Sequence, residues 1–154
     1  EEGRRDLVFD IALLGGRLKG ATQWVRHDPQ TSGLPIGYFG ASTGAAAALW
    51  AAAGQTDIHA VVSRGGRPDL AGDRLTAVRA PTLLIVGSLD REVLELNRQA
   101  ALQMRCRHHV DVVEGASHLF EEPGTLEVVA DLATRWFAEN LAATSRPAIT
   151  PARA

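Results

Sequence analysis

The sequence predicts an α/β chain built on a doubly wound, mostly parallel sheet, and three observations carry that expectation. Short apolar runs of strand length recur along the chain. Each is followed by a helix or a helical crossover, and glycine or proline punctuates nearly every junction. Alternation of this kind favours parallel strands joined by helical crossovers, with helices covering both faces of the sheet.

The elements follow in order. Residues 6–27, DLVFDIALLGGRLKGATQWVRH, place Leu14, Leu18, Ala21 and Val25 on one helical face, with Asp10 as N-cap and Pro29 and Gly33 beyond the end. Gly16 and Gly20 weaken this helix by about 1 kcal/mol each relative to alanine and would suit close packing. LPIGYFG at 34–40 reads as a buried strand, and STGAAAALWAAAG as an alanine-rich helix stopped by Gly54. IHAVVSRGG at 58–66 is a strand and loop, and PTLLIVGSLD at 81–90 a strand. REVLELNRQAALQM at 91–104 is a helix, HVDVVEG at 109–115 a strand, and GTLEVVADLATRWFAENL at 124–141 a closing helix. In that last helix Leu126, Val129, Leu132, Trp136 and Phe137 share one face. Residues 142–154 have no periodicity and two prolines, the composition of a disordered tail.

Length and charge narrow the function. A chain of 154 residues fits one domain with one core. With 16 basic and 18 acidic residues, neither nucleic acid nor an anionic membrane is called for as partner; a small-molecule substrate fits better. No apolar run reaches the ~20 residues that span a bilayer. Cys106 is the only cysteine, so no intrachain disulfide forms, and a reducing, cytoplasmic setting fits. The chain begins at Glu1 and opens on a helix, so it is expected to be processed, engineered or incomplete, with earlier strands missing and one sheet edge left open. The oligomeric state is left open.

The chemistry centres on Gly40-Ala41-Ser42-Thr43-Gly44, which falls between a strand and a helix. A serine is a weak nucleophile unless a base takes its proton and a third group orients the base. A sharp strand-to-helix turn exposes the hydroxyl and demands small residues two positions before and after it, here Gly40 and Gly44. The helix start aims backbone N–H groups, beginning with Thr43, at developing negative charge. Ligands gather at the C-terminal ends of parallel strands, where Asp90 and His118 are also expected. The order Ser42, Asp90, His118 matches one serine-hydrolase arrangement and departs from the others.

Other readings compete at several positions. Asp90 could instead be the N-cap of the helix after it, with Asp69 the substitute acid. Arg64 and Arg67 could receive a substrate carboxylate or phosphate, or form a solvated loop. Cys106 reads as structural. His108 and His109 point to opposite faces of a strand, His27 and His59 are isolated, and neither metal nor cofactor is assigned.

The runs GLPIGYFGASTGAAAALWAAA, VVSRGGRPDLAG, APTLLIVGSLDREVLELN and GASHLFEEPGTLEVVADLATRWF resemble the C-terminal two-thirds of a dienelactone-hydrolase-like α/β-hydrolase, over about residues 7–141. The resemblance implies Ser42 as nucleophile, Asp90 as acid and His118 as base. Named dienelactone hydrolases carry cysteine at the nucleophile position. Serine here points to a broader esterase acting on a carboxylic ester, thioester or lactone. The resemblance also implies an earlier HG-type loop donating a second oxyanion N–H, which this sequence lacks. One lost donor costs about 2.7–4 kcal/mol of transition-state stabilisation, so the chain alone is expected to be a poor catalyst or unstable. Such segments also resemble ones joined to phosphoribosyltransferase domains, which makes a non-catalytic module the alternative. VDVVEGAS at 110–117 is a faint echo of a transferase loop.

Overall fold

The computed structural model describes Leu7 and residues 9–142. The tail expected at 142–154 therefore lies, apart from Ala142, outside the described residues. The elements are α1 (Ile11–His27), β1 (Ile36–Ala41), α2 (Thr43–Ala52), β2 (Ile58–Arg64), a 3-10 segment (Pro68–Ala77), β3 (Thr82–Gly87), α3 (Arg91–Gln103), β4 (His108–Val113) and α4 (Thr125–Ala142). The four strands form one parallel sheet in the order β1-β2-β3-β4.

Period-two alternation sorts the core into two layers. Val61 of β2 and Leu84 of β3 face Ala48, Leu49 and Ala52 of α2 and Ala100 and Ala101 of α3. Val62, Leu83 and Ile85 face the other way, toward Val129 and Ala133 of α4. Every residue of β3 is buried, as suits a strand covered on both faces. Burial of a side chain such as Leu84 contributes about 1.5–3 kcal/mol. β1 and β4 are the edges, and Phe39 and Val112 stay exposed on them.

The alanines of α2 place no bulk between helix and sheet, and Ala45, Ala46, Leu49, Ala51 and Ala52 have no exposed surface. Asp10 caps α1 as expected, its Oδ1 accepting from Leu13 N at 2.9 Å. The packed face of α1 differs from the expected one. Gly15 and Thr22 are buried and Ala21 is exposed, because the helix leans on Trp50 of α2. A Cβ on Gly15 would lie 2.3 Å from Trp50 Cε3, whereas among the described residues nothing lies within 4 Å of one on Gly16 or Gly20. Gly15, then, permits the close approach. Trp50 also carries Arg74 Cζ at 3.8 Å and Lys19 Nζ at 5.0 Å from its ring centre.

Two further differences have local causes. Leu126 is 52% exposed. The inward face of α4 is set by Thr125, Val129 and Ala133, one position round from Leu126, with Leu132, Trp136 and Phe137 packed at its margin. The 3-10 segment crosses between β2 and β3 with a break at Gly72 (φ 56°) and buries Leu75 and Ala71. Among the described residues, no helix is long and apolar enough to cross a membrane.

Candidate active site

Parallel pairing brings the ends of β1, β2, β3 and β4 to one edge of the sheet, and the loops there carry the candidate residues. Ser42 sits between β1 and α2 with φ 50° and ψ −124°, a conformation that costs a non-glycine residue about 1–3 kcal/mol. Backbone contacts hold it there. Ser42 N donates to Arg64 O at 3.3 Å, and Ser42 O accepts from Arg67 N and Ala45 N, each at 3.2 Å. Its side chain makes no capping bond to α2, which leaves the hydroxyl aside from the helix it precedes. Thr43 is the first residue of α2, where backbone N–H groups lack helical partners.

The two glycines of the turn are unequal. A Cβ on Gly40 would lie 2.5 Å from Gly44 O, 2.6 Å from Ala45 Cα and 2.7 Å from Ala45 N. At Gly44 nothing lies within 4 Å, so the described neighbours impose smallness on Gly40 alone.

Asp90 and His118 meet. His118 Nδ1 lies 2.6 Å from Asp90 Oδ2, the length of a charge-assisted hydrogen bond. The Asp90 side chain is 15% exposed and that of His118 41%. Asp90 does occupy the N-cap position of α3, but its side chain makes no capping bond. Its carboxylate is directed to the imidazole instead.

Two closed loops bring this pair together. Leu89 N donates to Ala116 O and Ser88 N to Val113 O, each at 3.0 Å, and Gly115 N donates to Ser88 Oγ at 2.8 Å. Gly87 permits the crossing, since a Cβ there would lie 2.2 Å from Ala116 O. Behind His118, Ser117 N donates to Glu122 Oε2 at 3.0 Å, and this N–H holds the Glu122 carboxyl below the ordinary carboxylate range. Phe120, at φ 59°, turns the chain back toward α4.

The arginines part company. Arg64 Nη1 donates to Leu119 O at 3.2 Å, and its guanidinium lies 5.5 Å from the Phe120 ring centre, tying the loop after β2 to the His118 loop. Arg67 grips Asp69 with two bonds, Nε to Oδ1 at 2.9 Å and Nη2 to Oδ2 at 2.8 Å. Asp69 thus pairs with Arg67 and Asp90 with His118. Cys106 lies at the opposite end of the sheet, before β4, where burial pushes its thiol up. His108 Nδ1 is 2.9 Å from Cys106 O, and His109 Nε2 is 3.1 Å from Asp111 Oδ1. His27 Nδ1 is 2.6 Å from Gln23 O, and His59 Nδ1 accepts from Ile36 N at 3.2 Å.

Two neighbours of the site escaped sequence reasoning. Glu122 leaves no readable signal. Asn97 does leave one, a polar residue on the apolar side of α3 between Leu94 and Ala100, and it is fully buried.

A parallel sheet with a strained serine turn and an Asp–His pair at the strand ends defines an α/β-hydrolase fold. Comparison with known proteins shows what the chain is similar to, with serine in its turn. A dienelactone hydrolase from Anabaena variabilis is 54% identical, with a TM-score of 0.88 over 90% of this chain and 64% of its own. An alpha-beta serine hydrolase homologue from Coxiella burnetii is 26% identical, with a TM-score of 0.63 over 77% of this chain and 56% of its own. Two Mycobacterium tuberculosis proteins, provisionally named phosphoribosyl transferases, are 59% identical over 142 residues, 92% of this chain. The chain spans 32% of the length of these curated relatives. No family model matches it.

Proposed function

We propose that the chain supplies the catalytic residues of a serine hydrolase acting on a carboxylic ester, thioester or lactone. The observation that carries the reading is the 2.6 Å contact of His118 Nδ1 with an Asp90 carboxylate that is not spent on its helix. In this reading Ser42 Oγ attacks the carbonyl carbon while His118 Nε2 takes the hydroxyl proton. Asp90 accepts from Nδ1–H, fixes the tautomer and stabilises the imidazolium. The carbonyl oxygen gains negative charge facing Thr43 N–H at the start of α2. His118 then protonates the leaving oxygen or sulfur as it departs, and water, deprotonated by the same imidazole, releases the acid from Ser42. Arg64, fixed beside the His118 loop, is the better placed of the two arginines to meet an anionic substrate group, since Arg67 is bound to Asp69. A cytoplasmic site of action belongs to the same reading, supported by the lone, unpaired Cys106.

A second reading is favoured by the 59%-identical relatives, of which this chain covers only 32%. In it the chain is a non-catalytic hydrolase-like module of a longer protein with a phosphoribosyltransferase domain. Reaction of the full-length protein with a fluorophosphonate probe separates the two. The hydrolase reading expects labelling that is abolished in Ser42→Ala and reduced in His118→Ala. A folded protein that stays unlabelled supports the module.

A further inference from the structure

We propose that Asn97 is a positioning residue that locks Ser42 in register with the Asp90–His118 pair; the inference rests on the hydrolase reading above. Asn97 is completely buried, and its Nδ2 donates to Gly66 O at 2.9 Å and to Val93 O, one turn back in its own helix, at 2.7 Å. The bond to Gly66 is the one that reaches the site. Gly66 lies between Arg64, whose carbonyl accepts from Ser42 N, and Arg67, whose N–H donates to Ser42 O. Both backbone groups of the strained serine are therefore held by the short loop that Asn97 pins.

That loop is tightly specified. A Cβ on Gly66 would lie 2.0 Å from Ser63 Oγ and 2.6 Å from Ala45 Cβ, so the backbone there packs directly against β2 and the first turns of α2. Gly65 N adds a bond to Ile85 O at 2.8 Å, fixing the loop to β3. Asn97 Oδ1 and Ser63 Oγ are both buried without hydrogen-bond partners among the described residues. A buried amide with an orphaned carbonyl is costly to keep unless its N–H bonds are needed: an apolar residue of like shape would remove the orphaned Oδ1 but would strip the buried Gly66 O of its donor.

The helix that carries Asn97 supplies the geometric argument. Asp90 stands at the N-cap of α3 and binds His118; Asn97 stands seven residues on, about 10 Å along the axis, and binds the loop that grips Ser42. One rigid helix thus sets the acid–base pair at its end and the nucleophile from its side. A strained backbone persists only where its surroundings over-determine it, and the Asn97–Gly66 bond is the outermost link of that restraint.

The test compares Asn97→Leu and Asn97→Asp with the parent in the full-length protein, well below melting, per folded molecule. Asn97→Leu removes both donors at similar volume. Asn97→Asp keeps the shape and can retain a single donor only when protonated. The expected result is a drop in kcat for a p-nitrophenyl ester of about tenfold to a hundredfold in Asn97→Leu, with KM within about twofold and a parallel drop in the rate of fluorophosphonate labelling. Asn97→Asp is expected to fall between parent and Asn97→Leu, and it carries the test if Asn97→Leu does not fold. A variant that melts earlier yet labels and turns over at the parental rate per folded molecule overturns the positioning role alone. A folded parent that neither labels nor turns over overturns the hydrolase reading and this inference with it.

Discussion

Replacing Gly40 with alanine tests the construction of the serine turn. The added Cβ would meet three backbone atoms, the nearest being Gly44 O at 2.5 Å, whereas ordinary van der Waals contact begins at 3.4 Å. The end of β1 and the start of α2 must therefore separate by about 0.9 Å, the difference between those two distances. No flexible side chain can absorb the shift, because all three neighbours are main chain. Overpacking of this kind costs about 1–3 kcal/mol. A displacement of about 1 Å at a nucleophile lowers turnover by about a hundredfold. Gly44→Ala is the internal control, since its Cβ enters open space and alanine favours the helix it joins. Urea denaturation should give Gly40→Ala a lower midpoint and leave Gly44→Ala at or slightly above the parent, and ester turnover should fall only in Gly40→Ala. Equal damage from both substitutions, or none from either, would show that the Gly40 contact does not set the turn.

Ser42→Gly is expected to be more stable than the parent by about 1 kcal/mol in urea denaturation, because glycine adopts φ 50° without strain, while losing all turnover. Asp90→Asn should lower kcat by about 10³–10⁴-fold yet shift the unfolding free energy by less than about 1 kcal/mol, since the side chain orients His118 and caps nothing; a large stability loss with near-normal turnover would restore the capping role. Glu122→Gln should flatten the acid side of the stability profile. The folded-state value of this carboxyl lies below its unfolded one, so its contact with Ser117 N–H stabilises the fold above the ordinary carboxylate range and is lost as pH falls through the lowered value. Urea midpoints measured from neutral pH down to pH ~3 should fall less in the variant than in the parent.

The legible parts of this chain are those governed by short-range rules. β3 could be read because a strand covered on both faces is a continuous apolar run, the other strands because they are short apolar or β-branched runs bounded by turn residues, and α3 and α4 because they keep helical periodicity. Ser42, Asp90 and His118 could be placed at one edge because parallel strands end together, a consequence of topology rather than of any contact. The rest depends on pairs of residues distant in sequence. Gly15 rather than Gly16 meets Trp50 because α1 crosses α2 at that point, and nothing local to α1 encodes the crossing. Leu126 satisfies the helical spacing and is still exposed, since the sheet beneath α4 selects Thr125, Val129 and Ala133. The 3-10 segment has no period long enough to announce itself. Both candidate acids, Asp69 and Asp90, follow strands, and only the partner tells them apart: Arg67 for one, His118 for the other. Asn97 was visible as a polar residue on an apolar stripe, but the carbonyl it serves lies 31 residues away.

Acylation of Ser42 is the step that most directly tests the hydrolase reading. A p-nitrophenyl ester is mixed with the full-length protein, quenched with acid during turnover, and the protein is digested and its peptides weighed by mass spectrometry. One acyl group, carried by Ser42, is expected to accumulate in a burst with p-nitrophenol and to be absent from Ser42→Ala. Turnover that persists at the parental rate in Ser42→Ala, or an acyl group found elsewhere, would contradict that reading.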